Sequence, residues 1–327
     1  MTASTALDRS ELEGRLEQYR GELTGYCYRM LGSSSETDDA VQDTMVRAWR
    51  ALDGFDGRAS LRSWLYRIAT NVCIDALNGR KRRALPMDFG APSAPVPESL
   101  GEWRTDDPWV EPMPDARVLP AGDPEQVAVS RESVRLAFIA ALQHLPPRQR
   151  AVLILREVLC WKAAEVAELL GTTVASVNSA LQRARATLAA QGLDRSGQPA
   201  PVDDAHRELL ARYVDAFERY DMSSLVTVLH EDAVQAMPPY ALWLRGTADI
   251  TAWMLGVGIA CKGSRLLPVQ ANGSPAFAQY KPSADGVLRP WALQVLTVQD
   301  GLITGMVFFL DTARVFPLFG LPDHLPA

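Results

Sequence analysis

The chain has 327 residues, of which 47% are hydrophobic and 22% charged, and its formal net charge is −6. This length is enough for two or three domains with cores of their own. No window of about eighteen residues is apolar and free of charge, so the sequence predicts no membrane-spanning helix. The polar, acidic start argues against a signal peptide. The four scattered cysteines predict reduced thiols in a cytoplasmic protein and no metal site.

Positive charge is concentrated in two parts of this acidic chain. Residues 58–83 carry 7 basic and 1 acidic side chains, and residues 131–190 carry 8 basic and 4 acidic ones. Binding to nucleic acid depends on local neutralisation of phosphates, so the negative net charge does not exclude it. The sequence therefore predicts two segments suited to nucleic acid.

Residues 10–83 have the hydrophobic spacing of a helical bundle. Thr37 or Asp38 is expected to cap one of its helices, because a run of serines interrupts the pattern just before them. After a Gly-containing turn, Ser60 is expected to cap a further helix that ends near residue 78.

Residues 84–130 change in composition, with nine prolines and many acidic side chains, which predicts a linker. The segment contains Trp103 and the apolar stretch DPWVEPMPD, which are unusual in a spacer. Two interpretations stay open. The linker is either a strap on a neighbouring domain or a peptide that threads a groove on a partner.

Residues 131–190 are predicted to be helical again. The segment KAAEVAELLGTTVASVNSALQRARATL predicts a short helix, a turn at Gly171, a cap at Thr172 or Thr173, and a longer helix to about Ala189. A helix, a short turn with glycine and a second helix present a recognition helix to the major groove of DNA.

Residues 191–202 predict a second linker, and residues 203–327 predict a separate α+β domain. Helical spacing comes first in this domain, beginning at His206–Tyr220. Runs with the spacing of strands then follow at residues 265–271, 276–281, 291–299 and 303–310.

The helix DDAVQDTMVRAWRAL has acidic and amide side chains on one face, which is either a solvated face or a surface for a protein partner. The segment after it combines aromatic, amide and arginine side chains. Trapping unstacked bases requires a basic track for the backbone and aromatic or amide groups for the extruded base. The chemistry of this second segment therefore fits the opening of DNA.

These two segments, followed by the helix-turn-helix, resemble the two halves of a bacterial sigma-70 family factor of the extracytoplasmic-function group. The resemblance covers about residues 10–190. It implies a subunit that binds core RNA polymerase, at the coiled coil of the largest subunit and the flap region, and directs it to promoter DNA without a cofactor. The residues that it implies for core binding are Asp39, Gln42, Asp43 and Trp49. Those that it implies for the −10 element are Phe55, Arg58, Arg62, Trp64, Arg67, Asn71, Arg80, Arg82 and Arg83.

In the predicted recognition helix, arginines and amides can read base edges, while Ser and Thr at its start can hold phosphate. Asn178 and Ala180 stand where the family usually has a lysine and an arginine, which implies a distinct −35 preference or a weaker hold on phosphate. The residues expected to contact the −35 element are Thr172, Thr173, Ser176, Asn178, Ser179, Gln182, Arg183 and Arg185.

The carboxy-terminal domain is similar to the SnoaL-like branch of the nuclear-transport-factor-2-like fold, a cone of curved sheet and helices. The predicted fold class is therefore multidomain, with two all-α sigma domains and a C-terminal α+β SnoaL-like cone, as in the SigG-type subgroup of the family. A Gly-rich DGGGR motif of a related branch is absent. Residues that could line a pocket in the cone, for an unidentified small ligand, are His230, Tyr240, Trp243, Trp253, Tyr280 and Trp291.

No pair of side chains in this domain has a spacing that requires an acid–base assignment, and a fold alone does not give a function. The predicted role is regulatory, in place of a separate anti-sigma factor, without catalysis. Two other classes stay open. One is a ligand-sensing helix-turn-helix repressor, and the other is a DNA-binding fusion to a SnoaL-like isomerase or cyclase.

Overall fold

The structure is a computed structural model that describes residues 9–55, 57, 59–104, 107–120, 128, 130–190 and 204–326. It divides into two compact units. Unit 1 contains Met1–Arg82 and Ala116–Ser196, and unit 2 contains Arg83–Asp115 and Gly197–Ala327. Within the described ranges, no helix is long and apolar enough to cross a membrane.

The first part of unit 1 is a bundle of helices. They are α1 (Arg9–Gln18), α2 (Arg20–Leu31), α3 (Ser34–Ala51) and α4 (Leu61–Leu77). Helix α3 begins earlier than the cap predicted at Thr37 or Asp38. Ser33 is extended instead, and its hydroxyl accepts a hydrogen bond from the Glu36 amide at 3.2 Å. The cap predicted at Ser60 is confirmed.

Two tyrosines join α2 to α4 in the core of this bundle. The rings of Tyr26 and Tyr66 meet edge to face, with their centroids 5.1 Å apart, and both side chains are fully buried. The Tyr26 hydroxyl lies 2.7 Å from the Thr70 hydroxyl, so the buried phenol has a hydrogen-bond partner.

The second part of unit 1 consists of α5 (Leu136–Leu142), α6 (Pro147–Leu153), α7 (Ala163–Leu169) and α8 (Val174–Ala190). A π-helical turn, Ile154–Val158, extends α6. The sequence predicts helical structure from residue 131, but helix α5 begins only at Leu136, because Arg135 just before it is extended, with ψ of 141°. A single helical turn, Asp115–Val118, lies ahead of it.

The turn between α7 and α8 has the predicted chemistry. Gly171 has a φ of +60°, in the left-handed region that favours glycine. Thr173 then caps α8, because its hydroxyl accepts a hydrogen bond from the Ser176 amide at 3.2 Å. The predicted helix-turn-helix is therefore present in the structure.

Two buried arginines join the parts of unit 1. Arg29 of α2 donates to the Ser133 hydroxyl at 2.7 Å. Arg150 of α6 donates to the Met30 carbonyl and to the Gln143 side-chain oxygen, the latter at 2.7 Å. Burial lowers the pKa of each guanidinium to about 10, because it disfavours the charged form.

Unit 2 combines helices with one mixed sheet. The helices are α9 (Asp204–Glu218), α10 (Met222–Val226), α11 (Thr247–Leu255) and α12 (Thr312–Leu318). The strands are β1 (Leu229–Ala236), β2 (Trp243–Arg245), β3 (Arg265–Ala271), β4 (Ser274–Pro282), β5 (Val287–Gln299), β6 (Leu302–Phe309) and β7 (Leu325–Pro326).

The sheet has the order β2-β1-β6-β5-β4-β3, and β7 pairs with the start of β5. Strands β1 and β6 are parallel, and the other neighbours are antiparallel. Asn272 and Gly273 form the turn between β3 and β4, with φ of +56° and +64°. An Asn-Gly pair with positive φ at both positions is typical of a tight hairpin turn.

The main core of unit 2 lies between the helices and one face of this sheet. Tyr213 and Phe217 of α9, Trp253 of α11 and Phe277 of β4 are among its largest side chains. Their apolar surface is almost completely removed from water, which stabilises the domain.

Residues Arg83–Asp115, named the strap from here on, fold as part of unit 2. The Ser93 amide donates to the Trp243 carbonyl at 2.7 Å, and the Met113 amide donates to the Asn272 side-chain oxygen at 2.9 Å. The sequence left two interpretations of this segment open. These hydrogen bonds agree with a strap that lies on a neighbouring domain.

Candidate nucleic-acid interface

Helix α8 has one apolar side and one polar side. Val177, Leu181, Ala184 and Leu188 are buried at helical spacing, which fixes the orientation of the helix. All eight side chains predicted for the −35 element are exposed, on and just before this helix. They are Thr172, Thr173, Ser176, Asn178, Ser179, Gln182, Arg183 and Arg185.

Three of these eight side chains also have structural partners. The Thr173 hydroxyl caps the helix and donates to the Ser176 hydroxyl at 3.0 Å. The Arg185 guanidinium pairs with Glu157 at 2.5 Å. The Glu157 side chain is only 11% exposed, so this pair is screened less than one at the open surface, and a phosphate bound by Arg185 has to replace it.

Helix α4 and the turn before it carry the predicted −10 residues. Arg67 and Asn71 are exposed on the helix. The rings of Phe55 and Trp64 are half-buried against each other, with their centroids 5.1 Å apart. Arg58, also predicted for this surface, lies outside the described residues.

Arg62 is held by other side chains within unit 1. Its guanidinium donates to Glu22 at 2.8 Å and lies over the rings of Tyr66 and Trp161, at 5.4 and 5.3 Å from their centroids. Burial raises the pKa of Tyr66, so this phenol stays protonated and donates to Glu22 at 3.1 Å.

The basic residues after α4 do not share one environment. Arg80 is exposed and pairs with Glu36. Arg82 donates to His144 Nδ1 at 2.5 Å. Arg83 belongs to the strap, where it donates to the Trp109 carbonyl at 2.6 Å. Of the predicted −10 set, Arg67 and Asn71 are thus exposed polar candidates on α4, and Arg80 and Arg82 are exposed but contact Glu36 and His144.

The polar face of α3 is open at the residues predicted to bind core polymerase. Asp39 and Gln42 are exposed, and Asp43 pairs with Arg47 one turn away at 2.8 Å. Trp49 keeps 51% of its surface exposed. Tryptophan is enriched at the centres of protein interfaces, so an exposed tryptophan on this helix is suited to contact with a protein partner.

The six side chains proposed for a pocket in the C-terminal domain do not line one cavity. Trp253 is part of the main core, and Tyr240 and Trp291 pack against that core. Tyr280 packs on Phe316 of α12 instead, with ring centroids 5.3 Å apart. The Trp243 indole donates to the Gly90 carbonyl of the strap at 3.1 Å, and the His230 ring accepts from the Asp232 amide at 3.1 Å.

A chain of buried hydrogen bonds in the same domain was not predicted from the sequence. Tyr213 donates to Gln294 at 2.6 Å, Gln294 donates to Gln279 at 2.9 Å, and Gln279 donates to Ser264 at 3.0 Å. Both glutamines are fully buried. In a strand, glutamine that alternates with apolar residues is expected to face solvent. The sequence therefore did not indicate that Gln279 and Gln294 are buried. The described residues contain no cluster of side chains suited to a metal ion.

Comparison with known proteins agrees with this architecture. The family models described as Sigma-70 region 2, Sigma-70 region 4 and SnoaL-like domain match residues 16–83, 135–188 and 210–306. The solved structure of the Mycobacterium tuberculosis extracytoplasmic function sigma factor SigJ has the same fold. The two share 22% identity and a TM-score of 0.62, over 94% of this chain and 99% of that one. The fold is thus two all-α sigma domains and a SnoaL-like cone, as predicted.

Sequence relatives define the family. The chain is 48% identical over 322 residues to the ECF RNA polymerase sigma factor SigG of Mycobacterium tuberculosis, covering 97% of this chain and 85% of that protein. It is 32% identical over 191 residues to the RNA polymerase sigma factor CnrH of Cupriavidus metallidurans, covering 58% of this chain and 91% of that protein. The chain belongs to the extracytoplasmic-function sigma factors of RNA polymerase.

Proposed function

We propose that this protein gives core RNA polymerase its promoter specificity, with the exposed polar side of α8 reading the −35 element in the major groove. The proposal rests on the two sides of α8. Its apolar side is buried, and this packing orients the helix so that its polar side is exposed to solvent. A helix held in this way can present arginine and amide groups to base edges.

The −10 element is assigned to α4 and the turn before it. Arg67 and Asn71 offer exposed polar groups, and Phe55 with Trp64 offers an aromatic surface on which a base can stack. Family membership supports this assignment, because region 2 of the sigma-70 family covers these residues.

Core polymerase is assigned to α3, with the coiled coil of the largest subunit as the partner of Asp39, Gln42, Asp43 and Trp49. The flap region of the polymerase is assigned to the second part of unit 1. Both are contacts between proteins, so the function needs no cofactor and places the protein in the cytoplasm with the polymerase.

The SnoaL-like domain is assigned a regulatory role without catalysis. Two observations support it. The six candidate pocket residues do not converge, and the domain binds the strap, which joins the two sigma regions along the chain. Covalent attachment lets it restrain those regions in place of a separate anti-sigma factor.

Core binding is tested with purified core polymerase and fluorescently labelled full-length protein. We expect Asp39→Ala with Asp43→Ala to weaken binding about tenfold or more, which corresponds to a loss of about 1.4 kcal/mol for the two carboxylates together. The matched control is Glu208→Ala with Asp215→Ala. It removes two acidic groups from α9, where Asp215 is paired with Arg219 as Asp43 is with Arg47. Equal affinities for the two double variants would contradict the assignment of α3.

A further inference from the structure

One strip of the surface of α3 continues beyond the residues assigned to core polymerase. Successive residues of an α-helix are about 100° apart around its axis. Asp38 therefore lies about 40° from Gln42 and about 20° from Trp49, whereas Asp39 lies about 60° from Gln42. The side chains of Asp38, Gln42 and Trp49 are all exposed. These three residues, named the α3 stripe from here on, thus share one strip of accessible surface.

Within unit 1, an arginine covers the acidic end of the α3 stripe. The Arg117 guanidinium donates to both oxygens of the Asp38 carboxylate, through Nη2 to Oδ1 and through Nη1 to Oδ2, the latter at 3.4 Å. A planar guanidinium that faces both oxygens is a specific way of recognising a carboxylate. The two residues are 79 positions apart in the chain, so this pair is a tertiary contact rather than a pairing within one helix.

The residue after Arg117 packs on the helical bundle. Arg117 and Val118 belong to the single helical turn Asp115–Val118, and Val118 is only 5% exposed. The Val118 carbonyl approaches α2 at Gly25, where a β-carbon would lie 3.1 Å from the carbonyl oxygen, closer than most such contacts in proteins. The absence of a side chain at Gly25 allows this approach, so the position of Arg117 does not depend on the ion pair alone.

The contact between Arg117 and Asp38 is weak enough for a partner to compete with it. Their side chains are 32% and 52% exposed, so water and salt screen the pair. An exposed pair of this kind changes an equilibrium constant by at most about fivefold, which corresponds to about 1 kcal/mol. A carboxylate can accept from more than one donor, so Arg117 acts by neutralising the charge of Asp38 rather than by blocking every acceptor position.

Charge indicates which partner fits this face of α3. Asp38, Asp39 and Asp43 are acidic, and Asp43 is already paired with Arg47 within the helix. A partner that binds here has to present basic groups, because charges across an interface are complementary. In the proposed function, that partner is the coiled coil of the largest polymerase subunit.

Resting on the proposed function, we propose that Asp38 is a further residue that binds core polymerase and that Arg117 masks it in the free protein. The guanidinium of Arg117 takes the place that a basic side chain of the polymerase has in the complex. The mask lowers the affinity of the chain for core polymerase without abolishing it. Any change that draws Arg117 away from Asp38 raises that affinity.

The first test measures the affinity of the full-length chain for purified core polymerase. We expect Arg117→Gln to bind about two to five times more tightly than the unsubstituted chain, because Asp38 regains its full charge. The matched control is Arg20→Gln, which removes an exposed guanidinium from its pair with Glu17, away from α3. Equal affinities for the two variants would overturn the mask. If the unsubstituted chain does not bind core polymerase at all, the proposed function fails and the mask fails with it.

The second test separates a contact with polymerase from an ion pair that only stabilises the fold. Asp38→Asn removes the charge and nearly keeps the size of the side chain. We expect it to weaken core binding about twofold in the unsubstituted chain and about four- to tenfold in the Arg117→Gln chain, where the carboxylate is unmasked. An equal loss in both backgrounds, or no loss in either, shows that the proposal is wrong.

Discussion

Two arginines, Arg29 and Arg150, are almost completely buried where the two parts of unit 1 meet. A buried charge is tolerated only when its hydrogen-bonding groups are satisfied. The two terminal nitrogens of Arg150 meet this condition by donating to Gln143 and Leu145 in its own part and to Met30 in the other, whereas its buried Nε has no hydrogen-bond partner among the described residues. Each of these acceptors would be left unsatisfied if the guanidinium were removed.

We expect Arg150→Met to destabilise unit 1 by about 2–4 kcal/mol, because several buried oxygens lose their donor while the volume is nearly kept. Urea unfolding of the full-length protein measures the loss. Arg148→Met is the control, because Arg148 is exposed on the same helix. Equal stabilities for the two variants would show that the buried hydrogen bonds contribute nothing measurable.

The exposed arginines of α8 are expected to contact promoter DNA rather than to stabilise the fold. Arg183→Ala is expected to weaken binding of the holoenzyme to its promoter about tenfold, because one good contact with a base discriminates by about 1–3 kcal/mol. Promoter affinity is measured at fixed salt, with Arg289→Ala on the SnoaL-like domain as the control for lost charge. A similar loss on promoters altered at the −35 element would contradict base reading by Arg183.

At this scale the sequence was informative for exposed polar residues and uninformative for buried ones. The eight candidates of the recognition helix could be located because apolar residues at helical spacing define the side opposite to them. Arg29, Arg150, Gln279 and Gln294 could not be recognised as buried, because single polar residues have the same pattern whether they face water or a partner from a distant part of the chain.

Among the elements, α8 depends on the threonine at its start. Thr173→Ala removes the side-chain acceptor of the Ser176 amide and is expected to cost about 1 kcal/mol of unfolding free energy. The neighbouring Thr172→Ala is the control, since Thr172 is exposed and Thr173 is the residue that caps the helix. Chemical denaturation of both variants decides the point, and an equal change in each would argue against capping by Thr173.

Element prediction succeeded where spacing was regular. Helix α4, the helix-turn-helix and strands β3 to β6 lie close to their predicted positions. Strands β1 and β2 were missed. The burial pattern of β1 is irregular, because its pairing with the parallel strand β6 contains a shift in register. Strand β2 has only three residues, which is too short to show an alternating pattern. The position of the strap depends on contacts with Trp243 and Asn272, more than a hundred residues away, which no local pattern reveals.

At the scale of the whole molecule, Arg29 and Arg150 hold the two parts of unit 1 together. The strap connects these two parts along the chain and is bound by the SnoaL-like domain. We therefore expect the SnoaL-like domain to restrain the separation of the two sigma regions.

The contribution of the SnoaL-like domain follows from this picture. Removing residues 200–327 takes away the sites that bind the strap, so we expect transcription with core polymerase to change, with faster initiation than the full-length chain gives. Activity that is unchanged in the purified system and in cells would contradict a regulatory role for the domain.

The most direct measurement is run-off transcription with purified core polymerase on DNA from upstream of the protein's own gene. The account predicts a transcript with one defined start that requires this chain and is lost with Asp39→Ala plus Asp43→Ala. Binding of the chain to that DNA without core polymerase, and no transcript when core is added, would contradict it and favour a repressor.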